Sequence, residues 1–406
     1  MTNDPNAFTR RDFLTRAAAW AAVPMASLRF PGPSSPLPST PSSDPWLEIS
    51  AAALRANAAH VARLAGGRPV LAVIKNNAYG LGLETVGSLL DRHDAVAGLA
   101  VVKVDEARRL VAAGVRKPVL LMAHVTREEG VELSGRGVHL APFGDDAPEL
   151  LSAIAARTQA PVPMHFYLDT GMSRLGMPYH RALPWMERVA GTNGVRIEGT
   201  FMTFTEDDAF DIEQLARFTE LTKTARARGI PLGRLHAASS HALFLRPAAH
   251  LDMVRPGLAL FGAYPAEAPE AERTGLRPAV ALKGRVARME QLRAGDSVSY
   301  GRNYVAQTPT WIATIPVGHS DGYPRSAVRG CQVLISGRLY PVIGAVSASH
   351  TIVELGAQRQ AEVGDVATLV GPDDPAIMPN AVAARAGVSV YDILMHLSAE
   401  LPRLVV

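Results

Sequence analysis

Cysteine is nearly absent from this chain of 406 residues: Cys331 stands alone. A single thiol excludes an intrachain disulfide framework, so stability has to come from packing. An excess of one charge is missing too. The 41 basic residues nearly balance the 38 acidic ones, leaving a formal net charge of +3, too little to argue for a nucleic-acid or membrane-surface partner. Beyond the N-terminal region no apolar run is long enough to span a bilayer. No Gly-x-x-x-x-Gly-Lys string and no internal repeat occurs. What is plentiful is apolar residues, 48% of the chain, enough for large cores.

The N-terminus carries an address. Thr9-Arg10-Arg11-Asp12-Phe13-Leu14 followed by the moderately apolar stretch 17–28 fits a bacterial twin-arginine (Tat) export signal. The expected location is periplasmic or otherwise exported. The stretch is too short to remain as a stable membrane anchor, and Pro24-Met25-Ala26 is a poor small-x-small cleavage site. Residues 31–45 are rich in Pro and Ser and read as an extended linker. The expected division is therefore signal and linker at 1–45, a first domain at 46–277 and a second at 278–406.

Apolar runs fall at 70–75, 98–102, 118–122, 138–141, 164–168, 197–203, 234–238 and 253–260, with Ala/Leu/Glu/Arg-rich helical stretches between most of them. Eight strands alternating with helices predict a (β/α)8 TIM-type barrel, with a doubly wound open sheet as the alternative. After residue 277 the runs become short, β-rich and punctuated by Gly and Pro, at 281–289, 310–316, 331–335, 351–355 and 365–370. They predict a mostly β C-terminal domain, with a helical stretch at 380–401 ending at Pro402.

In a barrel, functional side chains gather at the C-terminal ends of the strands. Lys75, Asp169, Thr203, His236 and Arg255 lie at or near predicted strands, most at or just past their ends. Lys75 closes the run Leu71-Ala72-Val73-Ile74, and Asn76-Asn77-Ala78-Tyr79-Gly80-Leu81-Gly82 follows. A lysine so placed can form a Schiff base with a carbonyl cofactor, and the glycines permit a tight turn. The plain alternative is a surface lysine after a core strand.

The stretch 75–82 resembles the Lys-Ala-Asn-Ala-Tyr-Gly-His-Gly signature of alanine racemases, enzymes that use pyridoxal 5′-phosphate, with Asn76 and Leu81 as departures. Further strings resemble that family in the same order. They are Asp169-Thr170-Gly171-Met172-Ser173-Arg174-Leu175-Gly176, His236-Ala237-Ala238-Ser239-Ser240, Asp252-Met253-Val254-Arg255-Pro256-Gly257, Ser297-Val298-Ser299-Tyr300-Gly301, the string 318–325 and Ser389-Val390-Tyr391-Asp392. The resemblance implies interconversion of L- and D-alanine by two bases. Lys75 carries the cofactor and serves one face of the substrate; Tyr300, supplied by the partner subunit of a homodimer, serves the other. It also implies that Arg255 faces the pyridine nitrogen and His236 orients Arg255. Tyr79, Ser240, Tyr391 and the N–H groups of Gly257 and Leu258 are to hold the phosphate. Arg174 is to reach the cofactor's phenolic oxygen or the substrate carboxylate, and Ala348 to border the substrate.

The departures cluster in the same site. Tyr167 stands where many family members carry a lysine that becomes carbamylated, and Thr203 where a histidine helps activate the tyrosine. Ser239 replaces an asparagine, His319 a tyrosine and Ala348 a methionine. These changes leave two readings open, a racemase with altered substrate preference and a cofactor-binding relative of little or no activity. A decarboxylase of similar architecture is disfavoured, because Cys331 lacks a catalytic context and Arg255 holds the position at the pyridine nitrogen.

Overall fold

In the computed structural model of the chain the described residues are 43–158 and 160–406; the twin-arginine segment and most of the linker lie outside them. β1 (Trp46–Ile49) leads into a helix at Ala51–Leu64 that Ser50 caps, its hydroxyl accepting the Ala53 N–H at 3.1 Å. The parallel strands β2 (Val70–Val73), β3 (Val96–Val101), β4 (Val119–Leu121), β5 (Val138–Leu140) and β6 (Val162–Asp169) follow. After β7 (Met177–Pro178), which pairs only with β6, come β8 (Val195–Phe201) and β9 (Arg234–His236). The parallel sheet runs β2-β3-β4-β5-β6-β8-β9.

The expected eighth strand at 253–260 is not a regular strand. Met253 and Val254 form isolated parallel bridges to His236 and Val70. Backbone bonds from Leu71 N to Val254 O (2.9 Å), Val73 N to Pro256 O (2.9 Å) and Arg255 N to Ala238 O (2.7 Å) tie this segment to both neighbours and close the ring. Pro256 has no N–H with which to continue a ladder, and the chain turns into a 3-10 helix at Leu258–Phe261. The architecture is thus a (β/α)8-type barrel. Strand alternation sorts its residues. Leu71 and Val73 join Tyr167, Phe201 and Met253 in the interior, while Val70, Ala72 and Ile74 face the outer core.

The second half contains β10 (Val280–Arg285), β11 (Arg288–Leu292), β12 (Ser297–Val298), β13 (Tyr304–Val305), β14 (Thr310–Ile315), β15 (Gln332–Ile335), β16 (Arg338–Ile343), β17 (Thr351–Gly356), β18 (Val366–Val370) and β19 (Arg403–Val405). Its nine-stranded sheet has the order β11-β14-β17-β16-β15-β18-β10-β1-β19, and β12 and β13 form a separate hairpin. Three details differ from expectation. The run 281–289 is two strands, because the chain changes partners there: β10 pairs with β18 and β11 with β14. Residues 46–49, assigned to the barrel domain, belong to this sheet instead, antiparallel to β10 and parallel to β19. Leu47 and Ile49 are fully buried, and nothing in a tetrapeptide says which sheet will bury them. The helical stretch at 380–401 is two helices, Pro379–Ala386 and Val390–Met395, because Gly387 ends the first in a left-handed conformation. Among the described residues no helix is long and apolar enough to cross a membrane.

The barrel's exit toward the sheet is pinned by buried Asn57. Its amide donates to Leu260 O (3.0 Å) and Arg277 O (2.8 Å), and its oxygen accepts the Arg277 N–H (2.8 Å). Asn57→Ala strands these backbone groups, so it is expected to cost about 2–4 kcal/mol. A denaturant midpoint within error of the parent protein's would contradict that.

Candidate active site

Lys75 emerges just past β2 on an unusual piece of backbone. Asn76, Asn77, Ala78 and Tyr79 all have φ between 53° and 55°, so the segment is a left-handed turn. Asparagine tolerates this region, whereas alanine and tyrosine do so at a cost of about 1–2 kcal/mol each. Surrounding groups hold the turn. The buried Glu106 carboxylate accepts the N–H groups of Asn77 (3.1 Å) and Val102 (3.3 Å), and Asn77 Oδ1 accepts the Leu83 N–H (3.0 Å). Arg403 donates to Gly80 O at 2.8 Å. Gly80 is required there, since its φ is 87° and a Cβ would meet Leu394 O at 2.4 Å.

The turn aims Lys75 into a cavity of about 610 Å3 at the C-terminal mouth of the barrel, shared with Tyr79, Arg174, Ser240, Arg255, Gly257, Leu258 and Tyr391. Burial pulls the Lys75 ammonium below the usual lysine range, and the nearby Arg174 and Arg255 charges pull it further. Its neutral, nucleophilic form is thereby favoured.

Arg255 is buried on the barrel-closing segment. Nη1 donates to His236 Nδ1 (3.0 Å) and His236 O (3.1 Å), and Nη2 donates to Met202 O (2.8 Å). Its guanidinium carbon lies 5.0 Å over the Phe201 ring. Burial brings its pKa down to about 10, which leaves it cationic at neutral pH. Fully buried His236 is held well below the usual histidine range by desolvation and by Arg255; it is neutral, as an acceptor for arginine must be.

The opposite end is rich in donors. Ser240 Oγ accepts the N–H groups of Gly257 and Ala259, both at 3.1 Å, so its own hydrogen is free to point into the cavity. Tyr79 packs against Phe261 with ring centroids 4.7 Å apart. Its hydroxyl approaches so closely that a Cβ on Gly257 would sit 2.0 Å from it. Burial raises the pKa of Tyr79, and that of Tyr391 to about 12, so both phenols keep their donor hydrogens. Hydroxyl donors at one end, a buried cation at the other and a desolvated amine on the wall fit a pyridine aldehyde that bears a phosphate. Glu206 is the anionic exception on the wall; it is exposed, and its charge, like that of Glu106, opposes the two arginines at Lys75.

Asp169 makes no pair with Arg174. Its Oδ1 accepts the N–H groups of Gly171 and Ser173, both at 3.0 Å, and shapes the loop that presents the arginine. Tyr167 and Thr203 touch each other, hydroxyl to hydroxyl at 3.3 Å, and Tyr167 stacks on Phe201 at 4.3 Å. Ser239 caps the short helix at Ser240–Leu245.

Tyr300, His319 and Ala348 are not brought to this cavity. All three are exposed on loops of the β domain, Tyr300 to 76%. These loops are joined to one another: Ser299 Oγ donates to Ala345 O (3.3 Å), His319 N to Ser347 O (3.0 Å) and Ser320 N to Ala348 O (3.0 Å). Within one chain Ala348 therefore does not share a site with Arg174, because the loop carrying it projects from a different sheet. Residues that sequence reasoning missed include Glu106, which props the turn, and Phe201, under Arg255.

Family models described as "Alanine racemase, N-terminal domain" and "Alanine racemase, C-terminal domain" match residues 49–265 and 279–405. An alanine racemase of Desulfovibrio desulfuricans is 35% identical over 372 residues, which cover 89% of this chain and 98% of that protein. One of Treponema pallidum is 35% identical over 344 residues, covering 81% and 91%. Among solved structures, alanine racemase of Clostridium difficile 630 superposes with a TM-score of 0.82 at 25% identity, covering 90% of this chain and 96% of that one. The biosynthetic alanine racemase of Pseudomonas aeruginosa gives 0.78 at 30% identity, covering 89% and 99%.

The electrostatics yield a signed expectation. Arg174→Gln removes a positive neighbour, so the pKa of Lys75 rises and its neutral form appears only at higher pH. Competitive amine labelling of the cofactor-free protein across pH, read by peptide mapping, should give a Lys75 midpoint below that of ordinary lysines and a higher one in the variant. An unchanged or lower midpoint in Arg174→Gln would contradict the assignment.

Proposed function

The chain belongs to the alanine racemase family, and from that premise we propose that it interconverts L- and D-alanine, with Lys75 and Tyr300 as the two proton-moving groups. The family depends on pyridoxal 5′-phosphate. The observation that carries the reading is the convergence of a desolvated lysine, two arginines and a donor-rich pocket on one cavity, with a tyrosine held outward on the β domain.

Bound pyridoxal 5′-phosphate supplies an electron sink that makes an amino acid's α-proton removable. This chain's residues supply the rest. Tyr79, Ser240, Tyr391 and the Leu258 N–H would hold the phosphate; the Gly257 N–H, the other expected donor, is instead taken by the Ser240 hydroxyl at 3.1 Å. Arg255, aimed by His236, faces the pyridine nitrogen; a guanidinium does not readily give up its proton, so it limits the sink and favours return of the proton to carbon. Arg174, which has no side-chain partner among the described residues, binds the planar carboxylate or the cofactor's phenolic oxygen. The Lys75 amine takes or returns the α-proton on one face. Tyr300 serves the other face in the cavity of a second copy; its exposure supports a homodimer in which each subunit completes its neighbour's site.

Both proton-moving groups are present, which favours an active enzyme over a mere cofactor binder. Loss of one activating partner at Thr203 is a matter of about 10²–10⁴ in rate, not of the whole reaction. The test is a racemisation assay of the cofactor-loaded protein on alanine and on amino acids with larger side chains, with borohydride reduction and peptide mapping to locate the cofactor. The label is expected on Lys75. Tyr300→Phe is expected to slow α-proton exchange in D2O from one enantiomer far more than from the other. Equal losses for both, or full activity in a strictly monomeric state, would overturn the two-base, two-subunit reading.

We also assign the chain to the exported side of the membrane, on the strength of Arg10-Arg11 and the apolar stretch after them. Replacing both arginines with lysine is expected to retain the protein in the cytoplasm on fractionation; unchanged export would remove the assignment.

A further inference from the structure

The hydrogen-bonded chain that begins at Arg255 does not stop at His236. His236 Nε2 lies 3.0 Å from His165 Nδ1, and His165 Nε2 lies 3.1 Å from His139 Nδ1. The three rings come from β9, β6 and β5 and cross the barrel interior beneath the cavity. Space for the middle ring is made by a glycine: a Cβ on Gly199 of β8 would fall 2.4 Å from His165 Nδ1. Neither His165 nor His139 has a part in the roles derived above.

One end of this chain is fixed by chemistry. A guanidinium only donates, so the 3.0 Å contact from Arg255 Nη1 requires His236 Nδ1 to be unprotonated. The proton of that neutral ring is then on Nε2, and it is donated to His165 Nδ1. His165 in turn carries its proton on Nε2 and donates to His139 Nδ1, which leaves His139 protonated on Nε2. One donor fixes three tautomers. An extra proton on any of these rings sets two donors face to face somewhere along the chain. Burial acts in the same direction, pulling all three below the usual histidine range, His165 to about 3.

We propose that His165, backed by His139, is a positioning residue for racemisation: it receives the His236 Nε2–H, keeps that ring from rotating, and so preserves the acceptor that aims Arg255. This rests on the role assigned to Arg255 above. The His236 ring also stacks on Phe201 with centroids 5.1 Å apart and planes at 18°. Without His165 the buried Nε2–H has no acceptor, which favours a flip or a change of tautomer of the His236 ring. Arg255 then loses its imidazole acceptor and is held only by the backbone oxygens of His236 and Met202, which fix its aim at the pyridine nitrogen less tightly.

The test uses the full-length, cofactor-loaded protein. Imidazole ¹⁵N shifts are expected to show Nδ1 unprotonated and Nε2 protonated in His236, His165 and His139 at neutral pH. His165→Leu is expected to lower kcat about ten- to a hundredfold, a loss typical of removing a group that orients a working one, with little change in KM. It should also shift the visible absorption of the bound cofactor. Pyruvate formed per racemisation should rise, since an unguarded ring nitrogen favours leaving the amino group on the cofactor. His165→Gln preserves the polarity, its carbonyl accepting from His236 and its amide donating to His139, and should restore most of each property. A proton found on Nδ1 of His165 or His236, or a His165→Leu protein with the parent kcat, spectrum and pyruvate ratio, overturns the proposal. If His165→Leu does not fold, the nitrogen shifts of the unaltered protein decide. Absence of alanine racemisation by the parent protein counts against the functional reading, while the shifts still test the tautomers.

Discussion

Closure of the barrel by residues 252–256 is the constraint on which the site depends. Seven parallel strands left open would expose two edges of unpaired backbone. The segment hydrogen-bonds to β2 on one side and to the end of β9 on the other, and so removes both edges. The same few residues deliver Arg255 to the interior. Because Pro256 cannot donate, the ladder ends there, and the N–H groups of Gly257 and Ala259 turn to the Ser240 hydroxyl. Ring closure and the donor-rich end of the cavity are therefore built from one continuous segment of chain. A change that loosens closure loosens both ends of the site at once.

The second device is strain held in place from outside the turn. The chain must present Lys75 inward and then reverse to pack the helix at Leu83–Asp91, and it does so through four consecutive left-handed residues. The cost is on the order of 1–2 kcal/mol at each of Ala78 and Tyr79, Asn76 and Asn77 tolerating this region. Hydrogen bonds to charged groups, about 1.5–3 kcal/mol each, offset it. They come from Glu106 in the neighbouring barrel helix and from Arg403 in the last strand of the β sheet. The C-terminal strand, far away in sequence, thus helps to set the direction of the lysine.

Much of this could be read from the sequence, and the failures have physical causes. Apolar runs alternating with helical stretches pointed to the barrel, and strand-end placement to Lys75, His236 and Arg255. The eighth strand misled because an apolar run such as Met253-Val254 looks alike whether it pairs along its length or only at bridges, and Pro256 was the warning. The glycines at 80 and 82 drew attention as the turn formers, yet Asn76-Asn77 carries the first left-handed steps, a preference those residues are known for. His165 was discoverable in principle: it lies two residues before Tyr167 and so shares its inward face. Glu106 was not, because a glutamate in a helix's first turn reads as a charge complementing the helix dipole, not as a buried acceptor for another loop.

The paired departures Tyr167 and Thr203 show how the site tolerates its altered composition. A lysine that gains a carbamate places an anion beside an arginine; a tyrosine places a neutral ring there. Here Tyr167 lies on Phe201, Arg255 also packs over Phe201, and the two hydroxyls of Tyr167 and Thr203 meet. The space is filled by aromatic packing and the polar atoms are mutually satisfied, so neither substitution leaves a buried polar group stranded. What is not replaced is the negative charge. Arg174 is left without an ion-pair partner among the described residues, and it acts with Arg255 on Lys75. Glu106 and Glu206 oppose the two arginines only in part, so with burial the net effect on Lys75 still disfavours a protonated amine. The cavity therefore favours the neutral lysine, and its two arginines favour a ligand that brings phosphate and carboxylate groups.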